Sequence, residues 1–195
     1  MVEMNSFNVV DFRFAKSTDD FDLKYRAWSR IYEYQYVLDF IRNTQIESPN
    51  IHNSSWGYEG VHVIFRDELD LIGKCTHSDI IHSEFRDTFY YDITTENNEF
   101  ENKFDFVINI STIEHLKTSE DRLTSIKNLF KQVKPGGYLI LTFDYPRVNL
   151  TEIEFLINKK CTRGGNKELN GSNSKIVDER YKDLNIVYLI LKKNE

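Results

Sequence analysis

Two apolar runs separated by a helical pattern constrain this chain more than any other feature. The first is Phe104–Ile110, Phe-Asp-Phe-Val-Ile-Asn-Ile, and the second covers residues 138–143, Tyr-Leu-Ile-Leu-Thr-Phe. Short runs this rich in β-branched and aromatic residues are strands buried on both faces. Between them, Thr118 or Ser119 can cap a helix that carries Glu120 and Asp121 in its first turn, where carboxylates favour the positive end of the helix dipole. Its apolar stripe is Leu123, Ile126, Leu129, Phe130 and Val133, and Pro135-Gly136-Gly137 is expected to end it. Pro and Gly stop a helix and turn the chain tightly into the next strand.

The same alternation extends along the chain. Residues 1 to about 19 are polar and aperiodic and read as a loosely attached arm. From Asp20 to Asn43 the residues Ala27, Trp28, Ile31, Tyr34, Leu38 and Ile41 recur at helical spacing. This predicts one long helix or two short ones, ending before Ser48-Pro49. Its aromatics Trp28, Tyr32, Tyr34 and Tyr36 are expected to pack against a sheet. A strand over residues 50–55 is followed by a loop over 56–60. Val61, Ile64, Phe65, Leu69 and Ile72 then mark a helix stopped by Gly73. Further strands are predicted at 74–78, with Asp79 just past the end, and at 88–93. A helix at about 150–159, a Gly- and Asn-rich loop from Cys161 to Ser174 and a strand at 185–191 complete the order. Strands alternating with helices imply an α/β fold whose mainly parallel sheet is covered on both faces.

Composition narrows the function classes. A chain of 195 residues fits one domain, and 14 Phe with 11 Tyr supply ample core. The net charge is −6, whereas nucleic-acid binding calls for a basic surface, so no nucleic-acid substrate is expected. No stretch approaches the roughly 18 apolar residues of a membrane span. Residues 1–11 lack the basic start and apolar run of a signal peptide, and a cytoplasmic location is expected. Cys75 and Cys161 fit no metal-ligand spacing and are expected as free thiols, with no metal site.

In doubly wound sheets ligands bind just beyond the carboxyl ends of the strands. That directs attention to residues 54–60, Asp79, Asp92, the turn over 109–115 and Asp144. Here the chain resembles the class I S-adenosylmethionine-dependent methyltransferases. Phe104–Ile110 with Ser111-Thr112-Ile113-Glu114-His115-Leu116 is similar to that family's fourth strand and following turn. Val133-Lys134-Pro135-Gly136-Gly137 and the apolar run after it are similar to its helix-to-fifth-strand segment. The resemblance implies a Rossmann-like, doubly wound, mainly parallel seven-stranded sheet with its last strand antiparallel. It also implies S-adenosylmethionine as cofactor. The domain would comprise an N-terminal arm and helical cap (1–45), a cofactor-binding core (46–145) and an acceptor-side part (146–195).

By the same resemblance, Asp92 would lie near the adenine and Asp79 would hold the ribose hydroxyls, with Asn109 at the end of the fourth strand also on the cofactor side. Solvated loop carboxylates would look alike in sequence. The family's first motif, an acid followed by a Gly-x-Gly-x-Gly-like loop, is altered to Asn53-Ser54-Ser55-Trp56-Gly57-Tyr58-Glu59-Gly60. Asn53 stands in place of the acid and Ser55 in place of a glycine, while Gly57 and Gly60 keep freedom for the turn. Glu59 is a candidate for the missing carboxylate. The expected activity is O-methylation of a small molecule or of a sugar or glycan hydroxyl, which needs a general base. His115 and then Asp144 are the candidates; a His that merely packs the following helix is the alternative for the first. His52, His62, His77 and His82 are expected in surface or structural roles. Arg163, Asn166, Asn170 and Asn173 could bind polar acceptor groups. The altered first motif also fits a methyltransferase-fold scaffold without catalysis. A nicotinamide enzyme would need a Gly-x-Gly-x-x-Gly turn, which is absent.

Overall fold

Side chains that alternate in direction along the central strands fill two cores, one on each face of a single sheet. In the computed structural model, residues 6–15, 23–25, 29–57, 60–81, 87–161 and 185–195 are described. The strands are β1 (Phe7–Phe14), β2 (Asn50–Ser54), β3 (Lys74–Asp79), β4 (Phe89–Tyr90), β5 (Phe104–Ile110), β6 (Val133–Tyr145) and β7 (Asn185–Lys193). The helices are α1 (Arg30–Asn43), α2 (Val61–Ile72), α3 (Ser119–Gln132) and α4 (Leu150–Ile157). The sheet order is β1-β7-β6-β5-β2-β3-β4. Every pairing from β6 through β4 is parallel, and β7 runs antiparallel to both of its neighbours. The seven-stranded, mainly parallel sheet with an antiparallel last strand is as the resemblance implied.

On one face, Ile186, Tyr188 and Ile190 of β7 join Phe106, Ile108 and Ile110 of β5 beneath α1 and α2. On the other, Val187, Leu189 and Leu191 join Leu139, Leu141 and Phe143 of β6 beneath α3 and α4. Fully burying such a side chain contributes roughly 1.5–3 kcal/mol, so the two cores dominate the stability. Tyr32 and Tyr34 are buried and Tyr36 stacks on Tyr188 at 3.9 Å, which is the packing expected of the α1 aromatics. Among the described residues no helix is long and apolar enough to cross a membrane.

Three expectations are corrected. Residues 7–14 are not a loose arm: they form the edge strand β1 against β7. The alternation was hidden by an irregularity, because Val9 pairs with Leu191 and Asp11 with Ile190, leaving Val10 as an extra residue that flips the inward parity. The strand predicted over 88–93 keeps only two residues, Phe89–Tyr90. The chain then leaves the sheet as Tyr91 N–H donates to the Asp79 carbonyl at 3.0 Å. Finally, α3 ends at Gln132 rather than at Pro135, since Val133 is already extended and paired with Phe104. The Pro-Gly-Gly segment instead forms a bulge in β6, with Phe106 next paired to Tyr138. Gly137 is needed there because a Cβ would lie 2.7 Å from the Asp105 carbonyl. The predicted loop over 161–174 lies almost wholly outside the described residues.

Candidate active site

Strand order reverses between β2 and β5: the chain proceeds outward from β2 to β3 and β4, then returns to the other side of β2. Such a switch point opens a crevice at the carboxyl ends of the strands. A cavity of about 700 Å³ is found there, within the range of sites for ligands of drug size. It is lined by Asn53, Ser55, Trp56 and Gly57 at and after the end of β2, by Asp79, Ile80 and Ile81 at and after the end of β3, and by Asp92, Ile93 and Thr94 after β4. Ile110, Ser111, Thr112, His115, Leu116 and Lys117 close it from β5, while Arg30 and Tyr34 of α1 and His62 and Phe65 of α2 cover it.

The altered first motif keeps a glycine-like turn. Ser55 has φ +56° and Gly57 φ +67°. At Gly57 a Cβ would sit 2.9 Å from the His62 ring, so both the left-handed backbone and the space require glycine. Gly60 has φ +60° and precedes α2, but it is not among the cavity-lining residues. Tyr58 and Glu59 lie outside the described residues.

Asp79 is nearly buried and braces the turn: its Oδ2 accepts from Gly57 N–H at 3.3 Å and its Oδ1 from Ile81 N–H at 3.0 Å. Each carboxylate oxygen can accept a second hydrogen bond. Asp92 uses Oδ1 for the Thr94 N–H at 2.9 Å and the Thr94 hydroxyl at 2.8 Å. Among the described residues these are the hydrogen bonds of its side chain, and Oδ2 is not engaged in them. Both aspartates therefore face the cavity as held acceptors.

Asn109 is placed differently. It is fully buried, donates to Ser54 Oγ at 3.0 Å, and ties β5 to β2 without lining the cavity. Asp144 is also buried and does not line it. The cavity thus gathers Ser55, Gly57, Asp79, Asp92 and His115, and leaves out Gly60, Asn109 and Asp144. His115 is exposed on the rim. Partial desolvation and the nearby charges of Arg147 and Arg30 hold its pKa below the ordinary histidine value. It is neutral at physiological pH, with a ring nitrogen able to accept a proton.

No sequence pattern singled out two carboxylates beside the cavity, those of Glu33 and Glu114. Glu33 of α1 has no exposed surface, yet accepts from Arg30 Nη1 at 2.5 Å, Ser29 Oγ at 2.7 Å, Ser111 Oγ at 2.7 Å and the Thr142 hydroxyl. Burial pushes its pKa up, but the Arg30 charge and the hydroxyl donors outweigh that and hold it down. The cluster ties α1 to the ends of β5 and β6 and so fixes Arg30 in the cavity wall. A charged residue inside the apolar stripe of α1 was the available signal. Glu114 differs: both its oxygens are buried without a hydrogen-bond partner among the described residues. Burial, and then the charge of Asp144, raise its pKa to about 8. His62, expected in a structural role, lines the cavity and bonds the Tyr34 hydroxyl. Burial and the Arg30 charge push its pKa down to about 4. His52 is structural as expected, fully buried between Gln132 and Ser78. His82, Trp28, Arg163, Asn166, Asn170 and Asn173 lie outside the described residues.

The sheet order and the cavity at its switch point define the fold of the class I S-adenosylmethionine-dependent methyltransferases. Residues 75–141, from β3 into β6, match the family model described as a methyltransferase domain. The match begins after the altered turn at 53–60. Among solved structures, the TehB-like SAM-dependent methyltransferase of Corynebacterium glutamicum is similar with TM-score 0.56 and 10% identity, over 80% of this chain and 86% of that one. The N-methyltransferase NodS of Bradyrhizobium japonicum, in complex with S-adenosylhomocysteine, gives 0.54 and 14% over 84% and 87%. The 1,6-didemethyltoxoflavin-N1-methyltransferase of Burkholderia thailandensis gives 0.55 and 11% over 84% and 79%. No curated protein matches the chain in sequence.

Proposed function

We propose that the protein binds S-adenosylmethionine in this cavity and methylates an oxygen of a small molecule, with a sugar or glycan hydroxyl as first choice. The observation that carries the reading is the convergence of Ser55, Gly57, Asp79 and Asp92 with a neutral His115 on one cavity. The cofactor supplies an electrophilic methyl group on a sulfonium. The glycine-like turn lets the backbone approach the amino-acid part of such a ligand. In this reading Asp79 accepts from ribose hydroxyls and Asp92, through Oδ2, from an exocyclic amine, which their position on the cavity lining supports. Arg30, held by Glu33, suits the carboxylate of an amino acid or an anionic acceptor.

His115 decides between acceptors. A neutral amine attacks without first losing a proton, whereas an alcohol needs a base to take its proton in the transition state. A rim imidazole held unprotonated favours the alcohol. Asp144, away from the cavity, is assigned no proton transfer. The charge of −6 argues against a nucleic-acid acceptor.

Calorimetry with S-adenosylmethionine and S-adenosylhomocysteine tests the binding step; no heat at millimolar ligand would leave a methyltransferase fold that serves as a scaffold. Asp92→Ala is expected to weaken binding about 10-fold, the loss of one charge-assisted hydrogen bond. His115→Ala should lower kcat by about 100-fold or more at unchanged cofactor affinity. It should also remove the acid limb of the pH–rate profile, which lies below the ordinary histidine value. Turnover unaffected by that change would exclude His115 as base.

A further inference from the structure

Outside the cavity, three side chains of metal-ligand type meet where α2 hands over to β3. Asp70 lies in the last turn of α2, and Cys75 and His77 lie two residues apart on β3, on the same face of the sheet. One ligand atom from each lies within 4.8 Å of the other two. His77 Nε2 is 2.9 Å from Asp70 Oδ1. We propose that Asp70, Cys75 and His77 form a zinc-binding site, with a solvent molecule as fourth ligand on the side where Asp70 is exposed.

The donor set fits that ion. Thiolate, imidazole and carboxylate together are zinc ligands, and bond lengths of about 2.0–2.3 Å place neighbouring ligand atoms of a tetrahedron about 3.4–3.6 Å apart. Converging to that spacing needs shifts of about an ångström, within side-chain rotation. Access is present because the Asp70 side chain is 46% exposed, while His77 is 4% exposed and held in place. A ligating histidine needs a partner on its other nitrogen. Here Asn53 is 3.3 Å from His77 Nδ1, and turning its amide places the carbonyl there to accept the Nδ1 proton. Charge also balances: Zn²⁺ with the Cys75 thiolate and the Asp70 carboxylate is neutral, so Arg66, 3.8 Å from Asp70 Oδ2, meets no net cation. Binding releases the thiol proton to solvent. The linear pattern concealed the site because one ligand comes from a helix and the strand pair is Cys-x-His rather than Cys-x-x-Cys. Asn53 also lines the cavity, so zinc would fix which end of its amide the cavity meets.

The test uses the full chain, stripped with a chelator and titrated with Co²⁺. One equivalent should produce the near-ultraviolet thiolate-to-cobalt band together with tetrahedral d–d bands, and Zn²⁺ should bleach both. Cys75→Ser should abolish the thiolate band and Cys161→Ser leave it unchanged. Asn53→Ala should weaken binding about 10-fold or more. Independently of any variant, Zn²⁺ should protect Cys75 but not Cys161 of the native chain from alkylation, read by mass spectrometry. Absence of the thiolate band in the wild type, its persistence in Cys75→Ser, or unaltered alkylation of Cys75 would each overturn the site. None of these readouts involves S-adenosylmethionine, so they stand or fall apart from the proposed activity.

Discussion

Replacing Glu33 by Gln removes the buried carboxylate that holds Arg30 in the cavity wall while keeping the shape of the side chain. One oxygen becomes an amide NH₂, which must face either Arg30 and Ser29 or Ser111 and Thr142, all of them donors to Glu33. Arg30 loses its counter-charge in either orientation. Removing one partner of a buried ion pair costs about 3–5 kcal/mol. The Arg30 side chain is 17% exposed and can recover some hydration from the cavity, which points to the lower end, about 3 kcal/mol. That is a large part of the roughly 5–15 kcal/mol available to a domain. For a chain of this length it corresponds to a fall in Tm of about 7 °C. Urea denaturation followed by circular dichroism at pH 7 measures it. Combining the change with Arg30→Met should show coupling of at least about 1 kcal/mol. The pH dependence has a definite sign. The folded pKa of Glu33 lies below its ordinary value, so its stabilisation is complete above the unfolded value near 4.3 and is lost as pH falls through the folded value. The gap between wild type and Glu33→Gln should therefore narrow in acid. A gap below about 0.5 kcal/mol at pH 7, additivity with Arg30→Met, or a gap that stays constant into strong acid would refute the reasoning.

Two other changes probe the same region. Gly57→Ala forces a Cβ against the His62 ring in a left-handed conformation; strain of about 1–2 kcal/mol should lower Tm by a few degrees and weaken S-adenosylmethionine binding, and unaltered affinity would remove the turn from the cofactor site. Glu114, raised to about 8 in the folded state, should cost stability progressively as pH rises from about 4.3 to 8. Glu114→Gln should then match wild type near pH 4 and exceed it at pH 9; parallel Tm curves would contradict a buried, protonated carboxyl.

The parts legible in the sequence were those whose signals are local. Thr118 caps α3 by accepting from Asp121 N–H at 3.0 Å, as its position before Glu120 and Asp121 suggested. Phe104–Ile110 is the strand its apolar run implied. Elements were misread where distant pairing decides the conformation. β1 exists because β7 offers it an edge, and its bulge at Val10 breaks the period-2 pattern that would have announced it. Val133 leaves the helix because Phe104 pairs with it, although the stripe of α3 runs on through it. In the site, residues that follow strands were found by position, since the fold rule points there. Asp144 and Asn109 obey the same rule but turn inward, which no local pattern reveals. Arg30, Tyr34 and His62 reach the cavity from helices packed over it, so only the tertiary arrangement brings them in.

The placement of β1 also determines what the sheet offers to other chains. β7 carries the longest unbroken apolar run of the described strands, with residues 186–191 all buried. Left at an edge, such a run would be a template for strand addition and aggregation. β1 covers it, and as the outermost described strand there β1 is itself a poor template, being bulged and carrying Asn8, Asp11 and Arg13. At the opposite end β4 is only two residues long. Both ends of the described sheet therefore resist growth, and the strand most prone to recruit another chain is held between partners of its own.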